Sequence, residues 1–200
     1  MIITDLYETF YQAFQSGKGA AVESALESSE LLKELIGRAQ EWEIDLENVR
    51  RWLNSPEYKT HREVAMKFIA MAPQVVARVE SIFGKKLEGE ILLSPSLMNF
   101  DGFARYDSGK HKVWFGVDHP DADENYLKVL MAHELSHVYR DHQPGVWKFV
   151  GKPLEQISRQ EYLDHMSAEE HLASEGIATL FSQVVYPEVP LHVHHYYFPE

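Results

Sequence analysis

The sequence contains no cysteine among its 200 residues. A disulfide framework and a thiolate zinc site are therefore excluded, and any zinc ion must be held by histidine and carboxylate side chains. The chain also contains no uncharged apolar run of about 18 residues, the length that a membrane-spanning helix requires. We therefore expect a protein without a membrane span, whose 44% apolar content is enough to bury a core.

Positive charge is also scarce. Asp and Glu total 31 against 19 Lys and Arg, which gives a net charge of −12, and the basic residues form no sizeable cluster. Nucleic acid and anionic membrane surfaces both require a positive patch, so neither is an expected partner. The first residues, Met1 to Glu8, have neither the basic start nor the apolar core of a secretory signal, and we expect a cytoplasmic location.

Helical periodicity runs through nearly the whole stretch from residue 4 to about residue 83, where apolar side chains recur every three or four positions. Within it, Pro56 is typical of the first turn of a helix, and Pro73 is expected to begin or kink the next one. Gly84 then predicts a helix end. We therefore predict an N-terminal helical region that spans residues 1–86.

After residue 87 the pattern changes to short apolar runs bounded by turn residues. Three of these runs predict strands, at residues 90–93, 103–106 and 112–117. A helix is expected from about Glu124, after the turn and capping residues at 118–123, and residues 141–145 predict its end. Later helices are expected near residues 154–165 and 167–184.

These elements predict an α+β fold, mostly helical, with a small and mainly antiparallel sheet of about three strands packed beside the helix that begins near Glu124. The strands and the later helices form a second region, residues 87–200, which is either separate from the first region or part of one compact domain with it. The proline-containing tail from Tyr186 to Glu200 is not expected to form regular helix.

The helix expected from Glu124 contains the pattern His-Glu-x-x-His at residues 133–137. Two histidines four positions apart return to nearly the same helix face, so His133 and His137 can present two imidazole nitrogens to one metal ion. Glu134 lies beside them, where its carboxylate can accept a proton from a metal-activated water. The spacing predicts a site for one zinc ion, with His133 and His137 as ligands and Glu134 as the catalytic base.

A hydrolytic zinc site usually has three protein ligands, so a third group must come from elsewhere in the fold. Glu175 is the leading candidate, because it lies among the apolar residues of a predicted helix, where an ionised carboxylate requires a partner. Glu169, Glu170 and His171 on the same helix compete with it. Of these, His171 shares the face of Glu175 through a spacing of four.

The motif at residues 133–137, followed by the Glu-Gly-Ile-Ala segment that begins at Glu175, resembles the gluzincin clan of zinc metallopeptidases. The resemblance spans about residues 89–183 and is closest to uncharacterised bacterial predicted zinc-dependent proteases. It implies a zincin-like fold, peptidase activity and a glutamate as third ligand, here Glu175. It also implies that an edge strand beside the zinc helix pairs with an extended substrate, and residues 112–117 are the candidate strand.

Departures from the family pattern leave the partners of the ligand histidines open. Many thermolysin-like members have an aspartate four residues after the ligand glutamate, whereas this chain has Thr179. Asp141 is four residues after His137 on one helical face and is a candidate partner for its imidazole N–H. The alternatives are Asp164, Glu169 and Glu170. The metzincin pattern fails, because Arg140 and Gln143 stand where it requires glycine and histidine.

The oxyanion formed during peptide hydrolysis needs a hydrogen-bond donor besides the metal, and related peptidases take it from a downstream histidine or tyrosine. The tail contains five such candidates, which are His192, His194, His195, Tyr196 and Tyr197. A chain end rich in histidine and tyrosine is also often only a packed or frayed tail. The donor therefore stays open at this point.

The residues and the resemblance together predict a zinc-dependent peptidase, a hydrolase that acts on a peptide or protein substrate and uses Glu134 to activate the water. The alternative is a metal-binding regulatory module that docks or acts on one protein partner without general peptidase activity. A third alternative is a helical protein with a degenerate site. The sequence predicts no oligomeric state.

Overall fold

The structure, a computed structural model, combines helices with a small sheet. It describes residues 1–9, 11, 51, 54–96, 100–107, 109–116, 122–143, 145–146, 152–158, 161, 164 and 167–195. The helices predicted between residues 12 and 50 lie outside these ranges. In chain order the elements are β1 (Ile2–Asp5), α1 (Pro56–Phe83), β2 (Glu90–Ser94), β3 (Gly102–Asp107), β4 (Lys110–Gly116), α2 (Glu124–Asp141), a 3₁₀ turn (Leu154–Gln156), α3 (Ala168–Val185) and α4 (Leu191–His194).

The described strands form a four-stranded sheet with the order β1-β2-β4-β3. β1 pairs with β2 and β2 pairs with β4 in parallel, whereas β3 and β4 are antiparallel. The prediction of a mainly antiparallel sheet is therefore wrong for the described pairings. The sequence also misses β1, because four residues are too few to show a period and the strand's partner in the sheet begins only at Glu90.

The strand order also corrects the predicted edge strand. Residues 112–117 were expected at an edge, but β4 lies between β2 and β3. Its residues from His111 to Gly116 are all buried, as expected for a strand with neighbours on both sides. In the described part of the sheet the edges are β1 and β3, and β3 packs against α2. The edge beside the motif helix is therefore β3.

α1 is a single long helix. It begins after Ser55 and ends at Gly84, whose φ of 67° is the left-handed conformation of a helix C-cap. No new helix begins at Pro73, which lies inside α1. An internal proline costs about 3 kcal/mol, but burial offsets it, since each buried valine or phenylalanine contributes about 1.5–3 kcal/mol. The buried stripe of α1 consists of Val64, Phe68, Ala72, Val75 and Val79.

α2, which carries the motif, has the predicted bounds. The Asp123 side chain caps it by accepting a hydrogen bond of 2.7 Å from the Tyr126 backbone N–H. α2 contacts β3, α1 and α3, so most of its residues are buried, including His133 and Glu134. The fold therefore surrounds the polar motif with other elements on several sides.

α3 agrees with the helix predicted at residues 167–184, and the Ser167 side chain caps it by accepting from the Glu170 backbone N–H at 3.1 Å. It packs against α2. Of the helix predicted near residues 154–165, the structure describes the 3₁₀ turn and single helical residues at 161 and 164. α4 is one helical turn in the tail, where the sequence predicts none. Within these ranges, no helix is both long and apolar enough to cross a membrane.

Candidate metal centre

The two histidines of the motif lie one helical turn apart on α2. Their ring centroids are 5.2 Å apart and their ring planes are inclined by 74°. One ligand atom from each of His133, Glu134 and His137 lies within 4.8 Å of the other two, which is close enough for one metal ion. Within the described ranges, no other group of three such side chains meets this condition. The prediction that the motif gathers its polar atoms in one place agrees with this geometry.

The carboxylate of Glu175 on α3 contacts both imidazoles. Its Oε2 lies 3.0 Å from Nε2 of His133, and its Oε1 lies 3.5 Å from Nε2 of His137. The hydrogen bond with His133 lowers the pKa of Glu175, and the neighbouring imidazole of His137 lowers it further against the effect of burial. Each oxygen of this carboxylate on α3 therefore lies within 3.5 Å of one imidazole nitrogen on α2.

Glu134 is buried and lies against Gly102, the first residue of the edge strand β3. A Cβ atom at Gly102 would lie 2.8 Å from Cγ of Glu134, so only glycine leaves room for this side chain. The backbone N–H of Ala104 donates a hydrogen bond to the carboxylate. Burial raises the pKa of Glu134 to about 8, and the negative charge of Glu175 raises it in the same direction. Both effects favour the protonated form of this carboxyl group.

The two glutamates beside the histidines thus differ in chemistry. The group of ligand atoms within 4.8 Å of one another includes Glu134, whereas the carboxylate of Glu175 lies 3.0 and 3.5 Å from the two Nε2 atoms. The pKa of Glu175 is lowered and that of Glu134 is raised. The ionised form is therefore favoured at Glu175 and the protonated form at Glu134.

The imidazole of His137 is held by α3. Its Nδ1 lies 3.2 Å from Oγ of Ser174, a buried side chain next to Glu175 in the sequence. Burial, together with the nearby His133 ring, lowers the pKa of His137 to about 4, so this imidazole is neutral at pH 7. Neutral imidazole is the form that binds metal ions. Ser174 was not predicted from the sequence, where its position directly before Glu175 is the one signal that points to it.

The other predicted neighbours of the motif lie in different surroundings. Asp141 Oδ2 is 3.1 Å from Nε2 of His111, a buried residue of β4. Glu170 forms an ion pair with Arg140 of α2. Glu169, His171 and Asp164 are exposed. Of the alternatives for the third ligand, the structure therefore brings Glu175 closest to the two imidazoles.

The candidate oxyanion donors of the tail divide into three groups. His194 is buried and its Nδ1 lies 2.8 Å from Oγ of Ser182, which is seven residues after Glu175 on α3, or roughly 10 Å along the helix. His192 and His195 are exposed on α4. Tyr196 and Tyr197 lie outside the described residues. The structure therefore places His194 against the far end of α3 and assigns no donor from this group.

Two residues near Glu134 were also missed from sequence. The Asp101 side chain, just before Gly102, lies near the Tyr126 hydroxyl, and burial together with the negative charge of Asp101 raises the pKa of that hydroxyl above its ordinary value. The negative charge of Asp101 also contributes to the raised pKa of Glu134. A Tyr and an Asp 25 positions apart carry no joint pattern, so this contact could be found only in the folded chain.

These side chains define a candidate metal centre with two imidazoles, one ionised carboxylate and a second, buried carboxyl group beside them. Comparison with known proteins adds no relative to this description. No protein-family model, no curated protein and no solved structure matches the chain.

Proposed function

We propose that this chain is a zinc-dependent peptidase, in which His133, His137 and Glu175 hold one zinc ion and Glu134 is the general base. The observation that carries the proposal is the contact of one carboxylate, from α3, with the Nε2 atoms of both motif histidines on α2. The carboxylate and the histidines are separated by at least 38 sequence positions, from His137 to Glu175, so local sequence does not produce this convergence.

The residues present fit a zinc ion. Two imidazole nitrogens and one carboxylate form the usual ligand set of a hydrolytic zinc site, which leaves a position for water. The neutral imidazole of His137 and the ionised Glu175 need no proton rearrangement before binding. When bound, zinc supplies a lowered pKa for a coordinated water and polarisation of a substrate carbonyl oxygen.

Glu134 performs the proton transfers in this proposal. Its carboxylate takes a proton at one oxygen, and it then donates that proton to the nitrogen of the leaving amine. A pKa of about 8 permits both steps near neutral pH, because the protonated and ionised forms are then close in free energy. Gly102 and the Ala104 N–H hold the carboxyl group in place during the exchange.

The edge strand β3 is the proposed substrate-binding element. In the described part of the sheet it pairs only with β4, so its other side is available to an extended peptide backbone. The strand begins at Gly102, which contacts Glu134, so a peptide paired with β3 passes directly beside the general base. This arrangement supports a peptide as substrate, with β3 in place of the strand that the sequence indicated.

The test replaces Glu134 by Gln, which keeps the shape of the side chain and removes its ability to take a proton. Peptide turnover should fall by roughly 100- to 10,000-fold, while the zinc content after dialysis, measured by elemental analysis, should stay at the wild-type value. Glu161→Gln, at a partly exposed glutamate paired with Lys152, is the control for the loss of one charge. Undiminished turnover in a zinc-loaded Glu134→Gln protein would show that Glu134 is not the base.

A metal-binding docking module is the second candidate function. It is favoured by an exposed apolar stripe on α3 beside Glu175, with Leu172 75%, Leu180 61% and Val184 58% exposed. Exposed apolar patches of this kind mark protein-interaction surfaces. Recovery of one protein partner by the wild type but not by Leu180→Glu, with no turnover of generic peptides by the zinc-loaded protein, would favour this function over the peptidase.

A further inference from the structure

The helix α3 is apolar on two opposite faces. Its inner face contains the buried side chains of Ala178, Phe181 and Val185, and α3 packs against α2. A polar outer face is expected for a helix at the surface, but from Glu175 onward the chain has no charged residue before Glu188. A helix that is predominantly apolar on both faces is normally covered on both. The outer face of α3 is nevertheless exposed.

The outer face of α3 consists of a ridge of residues four positions apart, with one further apolar residue beside it. The ridge is Leu172, Gly176, Leu180 and Val184, and the residue beside it is Ile177. Leu172 is 75% exposed, Leu180 61%, Val184 58% and Ile177 48%. Side chains of this size leave roughly 400–500 Å² of apolar surface in one patch, and patches of about 300–600 Å² are often functional.

The area of this face matches a small interface between two copies of the chain. Two such faces placed together bury about 1,000 Å² in total, once the exposed Ala173 and Gly176 between the larger side chains are included, and this is about the smallest area of a specific interface. The net charge of −12 opposes association of two copies. A small apolar interface between acidic chains should therefore give a weak dimer that salt strengthens by screening.

The order of the side chains on the ridge also matches a second copy. In an antiparallel pair with a two-fold axis near position 178, Leu180 of one copy lies opposite Gly176 of the other, and Leu172 lies opposite Val184, because both pairs are symmetric about that position. A Cβ atom at Gly176 would meet nothing within 4 Å, so the glycine leaves space for the leucine. The symmetry repeats this contact, and ridges of this spacing form the commonest class of helix packing.

We propose that two copies of the chain associate through the outer faces of α3 in this antiparallel arrangement. The proposal does not rest on the peptidase function, because the outer face contains neither a proposed metal ligand nor the proposed base. Two other occupants are a different protein and the part of the same chain outside the described ranges. Either of these leaves the purified chain monomeric, so its molecular mass in solution separates them from a second copy.

Sedimentation velocity of the full chain, over a wide range of micromolar concentrations and in low and high salt, measures the association. The mass should rise from that of one chain, 23.1 kDa, to that of two, with tighter association in high salt. Leu180→Glu should weaken association by roughly 100-fold or more, because each carboxylate would be buried in the interface without a partner. Met66→Glu is the matched control and should associate like the wild type, since Met66 is 51% exposed but lies on α1.

Cysteine cross-linking tests the antiparallel arrangement, because the chain has no cysteine of its own. Position 177 lies beside the proposed two-fold axis, so Ile177→Cys should form a disulfide-linked dimer on mild oxidation. Leu172→Cys is the control. In the antiparallel pair its two copies lie about 12 residues apart along the helices, or roughly 18 Å. This is beyond the reach of a disulfide, whose Cα atoms lie about 4.4–6.8 Å apart.

Three results would overturn the proposal. The first is a wild-type chain that stays monomeric at all concentrations in both salt conditions. The second is equal association of Leu180→Glu and the wild type, which would place the contact elsewhere on the surface. The third is cross-linking of Leu172→Cys as efficient as that of Ile177→Cys, which would contradict the antiparallel pairing.

Discussion

The middle and the C-terminal end of α2 both hold histidine near carboxylate, but in different arrangements. In the middle, two imidazoles face the single carboxylate of Glu175. At the end, the carboxylate of Asp141 pairs with the imidazole of His111 from β4. Several donor atoms that face one point can bind a metal ion. A single His–carboxylate hydrogen bond only holds the imidazole in place. Residue type alone therefore does not separate a metal centre from a structural pair.

The largest expected effect is a difference in zinc affinity between a variant in the middle group and a variant in the pair at the end of α2. Glu175→Gln should weaken zinc binding by well over 100-fold, because loss of a hydrogen-bond partner behind a ligand already costs roughly 10- to 100-fold. Asp141→Asn removes the same charge at the C-terminal end of α2 and should change zinc affinity by much less. Competition with a chromogenic zinc chelator measures both. Equal losses in the two variants would mean that Asp141, and not only Glu175, belongs to the metal centre.

The next effect concerns the space beside Glu134, the proposed general base. Gly102→Ala would place a Cβ atom 2.8 Å from Cγ of Glu134, and overpacking of this kind costs about 1–3 kcal/mol. If the Glu134 side chain moves to relieve this close contact, peptide turnover falls by roughly tenfold to 100-fold, and zinc content is unchanged. Kinetics of the zinc-loaded variant measure the fall.

Gly176→Ala is the control for that substitution. Gly176 lies inside α3, directly after Glu175, and a Cβ atom there meets nothing within 4 Å. It should therefore raise the free energy of unfolding by about 0.5–1 kcal/mol, as measured by urea denaturation, without reducing turnover. A Gly102→Ala enzyme with wild-type turnover would mean that the close packing of Gly102 does not position Glu134.

The smallest effect compares two serines of α3 that each contact a histidine. Ser174 Oγ lies 3.2 Å from Nδ1 of His137, and Ser182 Oγ lies 2.8 Å from Nδ1 of His194. Ser174→Ala should weaken zinc binding by about tenfold, because the ligand imidazole loses the hydrogen bond that orients it. Ser182→Ala should leave zinc affinity unchanged. An equal loss of zinc affinity in both variants would mean that the change acts through α3 in general and not through the contact between Ser174 and His137.

Local signals predicted much of the fold. The bounds of α2 agree with the sequence because Asp123 is a capping residue directly before an apolar periodic stretch, and capping depends on neighbours only three positions apart. The bounds of α3 agree for the same reason, with Ser167 as the cap. Pro73 shows the limit of such signals. A proline predicts a helix start locally, but burial of one face of α1 kept the helix continuous.

Pairing between distant segments could not be predicted in this way. β1 pairs with β2, which lies far along the chain. β4 lies inside the sheet, although residues 112–117 were predicted to form an edge strand. An apolar run indicates that a strand is buried, but it does not indicate which strands lie beside it.

The sequence by itself determined that His133 and His137 share one face of a capped helix, with Glu134 between them, since helix geometry places residues four positions apart on the same side. Only the tertiary structure decided what meets that face. It brought Glu175 and Ser174 from α3 to the imidazoles, Gly102 and Ala104 from β3 to Glu134, and His111 from β4 to Asp141. The physical reason is that packing of helices and strands fixes contacts between distant residues, and no short-range pattern in the chain records them.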